Sequence, residues 1–258
     1  MILQNIVTKT VEEVEKRKQV IPIEKLLTRE KPILDLRKSL KSTPENPYPI
    51  LAEIKKGSPS RGIIRPHFNP VEIGKIYNRW ADAISILTEP FFFKGSPDYL
   101  RQVAREVEIP ILRKDFIVDR YQIAEAYSWG ADGVLLIVAA LEQPQLKELY
   151  TFAKELGLEV LVEVHNREEL ERALELEPTI VGFNHRDLKT FQMNMELGRE
   201  LIPLIPKGVV KVAESGINSF QTIQYLHKLG VDAFLIGEHL MRQSDIGREL
   251  RRLKGLEE

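Results

Sequence analysis

The sequence predicts an α/β fold, a (β/α)8 TIM barrel with an N-terminal helical extension, and two observations carry that prediction. First, short β-branched or apolar runs recur at 50–54, 83–88, 109–113, 133–138, 159–164, 179–183, 209–213 and 233–236, with starts roughly 20–35 residues apart. That interval holds one strand and one helix, the repeat of a parallel βα unit. Second, about eight such units fit a closed barrel. A doubly wound open sheet would usually carry a glycine fingerprint after its first strand, and no G-x-G-x-x-G occurs.

The elements follow in order. Leu3, Ile6, Val7, Thr10, Val11 and Val14 recur at spacings of three and four, the signature of one helical face. Two shorter helical patterns occupy 23–28 and 33–40, with Pro22 and Pro32 placed to suit a first turn. Pro44, Pro47 and Pro49 then forbid regular structure. These prolines divide the chain into a helical extension, 1–46, and a barrel, 47–258. Removal of roughly the first 45 residues is expected to leave a barrel that still folds. Within the barrel, Asn69 and Pro70 open a helix over 71–80, and helices are also expected at 168–175 and 220–229, the latter ended by Gly230. Gly130-Ala131-Asp132 and Gly230-Val231-Asp232 read as tight turns into strands. The charge run 248–254 reads as a solvated helix face.

Composition narrows the function. In 258 residues, 43% hydrophobic and 29% charged, 37 Lys and Arg face 38 Asp and Glu, so no nucleic-acid or membrane signal spans the whole molecule. The lack of cysteine excludes disulfides, zinc ribbons, iron–sulfur clusters and thiol nucleophiles. The five histidines, His67, His165, His185, His227 and His239, show no metal-ligand spacing. No metal and no cofactor are expected. Glu12, Glu13 and Glu15 rule out a signal peptide at the N-terminus, and no apolar run nears the ~20 residues of a membrane span. A cytoplasmic setting is expected.

Barrel chemistry sits at the C-terminal ends of strands, and side chains alternate inward and outward. On that parity Leu51, Glu53 and Lys55 face one way, as do Leu112 and Lys114, and Leu161 and Glu163. The sixth strand adds Gly182, Asn184 and Arg186, and the seventh Val212 and Glu214. A single charge at a strand end is usually a solvated loop residue. Five strands ending on matching parity point to a shared lumen. The acids Glu53, Glu163 and Glu214 facing Lys55, Lys114 and Arg186 would also suit a structural ion network, but buried networks stabilise poorly and perturbed charges cluster at functional sites. Glycines at Ser215-Gly216-Ile217-Asn218 and Gly237-Glu238 fall after strands seven and eight, where barrels commonly hold phosphate. One ring of Phe91-Phe92-Phe93 would wall an aromatic pocket.

These segments resemble the indole-3-glycerol-phosphate synthases. The resemblance rests on Ala52-Glu53-Ile54-Lys55-Lys56-Gly57-Ser58-Pro59-Ser60, Ile86-Leu87-Thr88-Glu89 with Phe93-Lys94-Gly95-Ser96, and Leu112-Arg113-Lys114-Asp115-Phe116. It continues through Leu161-Val162-Glu163-Val164-His165, Asn184-His185-Arg186-Asp187-Leu188, Ala213-Glu214-Ser215-Gly216-Ile217 and Ile236-Gly237-Glu238. It implies a carboxy-lyase of tryptophan biosynthesis that closes the indole ring of 1-(2-carboxyphenylamino)-1-deoxyribulose 5-phosphate with loss of CO₂ and water. It assigns Lys114 as general acid and Glu163 as a second acid/base, and it places Lys55 at the substrate carboxylate or in dehydration. Glu53, Asn184 and Glu214 would orient these groups. Ser58, Arg186, Ser215, Gly216, Gly237 and Glu238 would contact substrate and phosphate, and Phe93, Phe116 and Leu135 would line the aromatic pocket. The implied partner is a small phosphorylated substrate, with no nucleic acid and no membrane. A monomer is expected, open to association with other tryptophan-pathway enzymes. Gly57, where the family usually has alanine, is expected to loosen the loop after the first strand, and His185 stands at a frequent asparagine. Two alternatives stay open: another phosphosugar barrel such as phosphoribosylanthranilate isomerase, which relies on a cysteine this chain lacks, and an inactive phosphate-binding barrel.

Overall fold

A computed structural model describes residues 2–257 apart from residue 189. Eight parallel strands close into a barrel in which every strand pairs with its neighbours in sequence and the first pairs with the last. They are β1 (Ile50–Ile54), β2 (Ala83–Leu87), β3 (Ile111–Lys114), β4 (Gly133–Ile137), β5 (Glu159–Val164), β6 (Ile180–Asn184), β7 (Val210–Glu214) and β8 (Ala233–Ile236). Alternation splits their side chains into two layers. Val160, Val162 and Val164 of β5 pack outward against the helices, while Leu161 turns inward with Leu51, Leu112, Leu135, Ile180, Val210, Val212 and Leu235.

Three strand limits match the sequence reading, β2 and β4 end one residue sooner, and β3, β6 and β7 are shifted one or two residues later. Strands β3, β6 and β7 each end on the polar residue that function would need: Lys114, Asn184 and Glu214. A charged residue closing a strand resembles a loop residue in sequence, and only pairing reveals it, as in Asn184 opposite Glu214.

The extension is built into the barrel at both ends. Helix α1 (Ile2–Val20) lies against the upper side, with Leu3 and Ile6 buried in the cluster that contains Phe116 and Ile137. Arg17 clamps Glu125 at 2.6 Å, Lys18 reaches Asp119 at 2.6 Å, and the Tyr121 hydroxyl lies 3.0 Å from the carbonyls of both Arg17 and Ile21. The two shorter patterns prove partly helical. The first is a 3₁₀ turn, Ile23–Leu26, and the second shrinks to α2 (Leu36–Leu40), capped by Asp35. Pro32 therefore precedes an irregular stretch rather than opening a helix. Leu36 and Leu40 are fully buried and plug the barrel floor, where Gly133 leaves room: a Cβ there would meet Leu36 at 2.6 Å. Asp132 ties this floor together, accepting from Arg29 Nη2 at 2.8 Å and from the amides of Leu34 and Ile111.

The outer helices are α3 (Pro70–Trp80), α4 (Pro97–Ala104), α5 (Arg120–Trp129), α6 (Gln143–Glu155), α7 (Arg167–Leu174), α8 (Leu197–Leu201), α9 (Phe220–Lys228), α10 (Glu238–Met241) and α11 (Ile246–Leu253). Asn69 caps α3 by accepting from Val71 and Glu72, as its sequence suggests. Helix α11 corrects the reading of 248–254 as only a solvated face, because Ile246, Leu250 and Leu253 are buried against the barrel.

Candidate active site

At the C-terminal mouth a cleft of about 400 Å³ opens over the barrel lumen. Its floor is the inward row anticipated by parity. Glu53 rises from β1, Lys114 from β3, Glu163 from β5, Asn184 from β6 and Glu214 from β7. Lys114 Nζ stands 3.1 Å from Glu214 Oε2 and 3.3 Å from Glu53 Oε2, while Lys55 Nζ, one residue beyond β1, takes Glu53 Oε1 at 2.9 Å. Asn184 Nδ2 donates to Glu163 Oε1 at 3.2 Å, and the Asn184 carbonyl oxygen of the side chain accepts from the Arg186 amide. Glu53, Glu163 and Glu214 are at most 2% exposed.

Two glycines make this crowding possible. A Cβ at Gly182 would lie 2.4 Å from Glu214 Oε1, and one at Gly237 would lie 2.4 Å from Glu53 Oε1. We expect Gly182→Ala to push Glu214 off Lys114, with overpacking costing about 1–3 kcal/mol. Thermal melts and kcat on that variant should fall together; an unchanged kcat would show that the Lys114–Glu214 geometry is dispensable.

The charges settle one another. Burial disfavours the Lys114 ammonium, but Glu53, Glu214 and Glu163 outweigh it and hold the lysine above its ordinary value, a cation at neutral pH. Burial and then the neighbouring Glu163 charge push Glu214 well above the usual carboxylate range. Glu163 is held below that range: burial opposes its charge, but His165 and Lys114 prevail. The two carboxyls are thus pulled in opposite directions, Glu214 toward its neutral form and Glu163 toward its charged one. Two acids held apart in this way provide a proton donor and a proton acceptor in one site.

Above this floor the cleft has two contrasting walls. Phe93, Phe116, Leu135 and Ile137 form an apolar side, with the Phe93 and Phe116 rings 5.8 Å apart between centroids. Glu89 shapes it by accepting from the amides of Phe91, Phe92 and Phe93 at 2.7–2.8 Å, which leaves Phe91 half-exposed and turns Phe93 to the cleft. The opposite side carries Ser58, Arg61, Arg186, Ser215, Gly216, Gly237, Glu238 and Arg242. Ser215 and Gly216 both adopt positive φ, at 68° and 75°. For Ser215 this is a strained conformation of the kind found at ligand-binding turns. His185 buttresses it, its amide donating to the Glu214 carbonyl and its Nδ1 lying 2.9 Å from the Ser215 carbonyl.

Fourteen of the fifteen residues singled out from sequence line this cleft, one of them differently, while Glu214 is fully buried beneath it against Lys114. The Glu238 carboxylate turns to cations, lying 3.0 Å from Arg242, 3.3 Å from Arg61 and 3.9 Å from Arg186. Arg61 and Arg242 were not anticipated, and neither were Glu89 and His165. The two arginines sit on exposed loop and helix positions whose convergence only the closed barrel creates. Gly57 also departs from expectation. It starts a two-stranded hairpin, Gly57–Ser58 with Gly62–Ile63, and a Cβ there would lie 2.6 Å from the Gly62 carbonyl oxygen, so the glycine tightens the loop rather than loosening it.

A closed parallel barrel with acids, a lysine and an amide at its mouth defines a (β/α)8-barrel enzyme. The same barrel shape recurs in tryptophan synthase alpha-subunit from Pyrococcus furiosus (TM-score 0.61, 16% identity, 80% of this chain and 98% of that one) and in 3-hexulose-6-phosphate synthase from Salmonella typhimurium (TM-score 0.63, 16% identity, 81% and 97%). Those identities speak for fold alone. The sequence is more specific. The family model for indole-3-glycerol phosphate synthase matches residues 3–253, and the chain belongs to that family. A relative of that name from Nautilia profundicola is 53% identical over 255 residues, covering 99% of each chain. Another from Campylobacter hominis is 51% identical over 262 residues, covering 99% of this chain and all of its own.

Proposed function

We propose that this chain closes the indole ring of 1-(2-carboxyphenylamino)-1-deoxyribulose 5-phosphate, releasing CO₂ and water, in tryptophan biosynthesis. The observation that carries the reading is a buried lysine bracketed by two glutamates beneath an aromatic wall. Ring closure requires the aryl carbon that bears the carboxylate to attack the ketone carbon. The carbonyl oxygen then needs a proton, which the Lys114 ammonium supplies. Loss of CO₂ returns the bonding pair to the ring. The new hydroxyl departs as water after taking a second proton, for which the Lys55 ammonium is the donor where that lysine shares in dehydration, and the adjacent carbon gives up a proton to complete the indole. Ionised Glu163 is the acceptor in that second stage, and Lys55 meets the substrate carboxylate or shares in dehydration. Glu53, Asn184 and Glu214 orient the lysine and the glutamate. The phosphate lies against Arg186 and the Ser215-Gly216 turn, with Ser58 and the backbone at Gly237 and Glu238, while Phe93, Phe116 and Leu135 stack along the aryl ring.

The extension, 1–46, and the barrel, 47–258, form one working unit in this proposal, a cytoplasmic monomer open to association with other tryptophan-pathway enzymes. Among the described residues no helix is long and apolar enough to cross a membrane. Incubating the protein with the ribulose phosphate should produce indole fluorescence. Tight binding without fluorescence would instead favour an inactive phosphate-binding barrel. The proposed steps use only proton transfers by side chains, so activity should survive EDTA; loss restored by a divalent ion would overturn the cofactor-free mechanism.

A further inference from the structure

His165 enters none of the steps above, yet it is among the most enclosed ionisable groups at the mouth. It is the first residue past β5, two positions beyond Glu163 and so on the same side of the chain. Its side chain is 4% exposed and lies between two carboxylates: Nε2 is 3.0 Å from Glu163 Oε1, close enough for an ion pair though off the line of a hydrogen bond, and Nδ1 is 3.0 Å from Glu169 Oε2. Glu169 is itself fixed. It occupies the first turn of α7, its amide donates to the Asn166 capping oxygen at 2.9 Å, its Oε2 accepts from the His165 amide at 2.8 Å, and its Oε1 accepts from Asn166 Nδ2 at 3.1 Å. A rigid line therefore runs from the helix cap through the ring to the glutamate.

We propose that His165, anchored by Glu169, is a positioning residue for Glu163, gripping one carboxylate oxygen from the side of α7 while Asn184 grips the same oxygen from β6. Two holds on Oε1 fix the plane of the carboxylate toward the lumen. The charge of the ring supports the same role. Burial opposes it, but Glu163 and Glu169 raise His165 to about 10, so it is an imidazolium at neutral pH. The other groups that bear on Glu163 are Lys114 from β3, Glu214 from β7 and the neutral amide of Asn184 from β6. His165 and Lys114 are the two cations that hold Glu163 ionised. Without the imidazolium, Glu163 would keep its proton to higher pH and lose one of its two anchors.

The inference rests on Glu163 acting as a base in the proposed reaction, and the test separates the two. The pH profiles of kcat and KM should be measured for Glu163→Gln, His165→Gln and Glu169→Gln. His165→Gln should move the acid limb of kcat upward by about 1–3 pH units, the effect of removing a close opposite charge. KM should change little, because the phosphate side is untouched. Glu169→Gln should move the limb the same way by less, and adding His165→Gln to Glu163→Gln should cost nothing further. Wild-type stability should also carry the histidine's signature. A group raised on folding contributes fully below about pH 6.5, its unfolded value, and that contribution fades as pH climbs toward 10. His165→Gln should lack this slope. An acid limb that stays in place while melting temperature falls would reduce His165 to a structural residue and overturn the inference. Turnover retained in Glu163→Gln would instead overturn the reading beneath it. Should His165→Gln not fold, Glu169→Gln and the ¹⁵N shifts of the wild-type ring decide, and a neutral ring at pH 7.5 would refute the proposal.

Discussion

Lys114→Met should lower kcat by about 10²–10⁴-fold, the usual contribution of a general acid and equivalent to about 3–5 kcal/mol of barrier. The substitution keeps the volume of the stem and removes only the proton donor. Its predicted effect on KM is small, since Arg186 and the Ser215-Gly216 turn lie on the opposite wall of the cleft. Stability should respond as well, because Lys114 is the shared counter-ion of Glu53 and Glu214. Removing one partner from a buried cluster destabilises it. Glu53 keeps Lys55 at 2.9 Å and burial already pushes Glu214 toward its neutral form, which limits the damage to a lowered melting temperature rather than loss of the fold. A variant that melts earlier but turns over at nearly the wild-type rate would show that Lys114 serves an ion network and would end the mechanism.

Period-two alternation made most of this floor legible in advance. Glu53, Glu163 and Glu214 could be assigned to one lumen because each follows an apolar inward residue by two positions, and an error of one or two residues in a strand limit leaves parity unchanged. The closed barrel was legible for a similar reason, since repetition of a βα unit survives misplaced boundaries. What escaped depends on convergence in three dimensions. Arg61 and Arg242 are separated by most of the barrel in sequence and meet only at Glu238. His165 looked like an isolated histidine because its partner Glu169 belongs to the next helix. Gly182 and Gly237 gave no local signal either: each is small to admit a side chain from another strand. Helix α2 is shorter than 33–40 because that stretch has a helical apolar pattern throughout, whereas its first residues are irregular and turn at Asp35 before Leu36 and Leu40 enter the barrel from below.

That last feature changes what truncation should do. The prolines at 44, 47 and 49 suggest that everything before them can be removed from a self-sufficient barrel. The packing predicts two different outcomes depending on where the cut falls. Deleting residues 1–21 removes α1 and its upper contacts, Leu3 and Ile6 against the Phe116 cluster and the Arg17–Glu125 clamp. The floor stays intact, so this variant should fold, with its loss expressed mainly in kcat and KM as the mouth opens to water. Deleting 1–45 also removes Leu36 and Leu40, each a fully buried side chain whose burial is worth about 1.5–3 kcal/mol. It strips Arg29 and the Leu34 amide from Asp132, which would then be a buried acid retaining only the Ile111 amide among those three partners. Together these losses approach the ~5–15 kcal/mol by which a domain is stable. The longer deletion should therefore be unfolded or aggregated. Leu36→Ala with Leu40→Ala in the full chain isolates the cause, because it leaves Asp132 and α1 alone and opens only the floor. That double variant should lower stability by about 4–10 kcal/mol if the two cavities act independently. A cooperative melt at the wild-type temperature, in it or in the 1–45 deletion, would show that the barrel closes its own floor and that the extension serves the mouth alone.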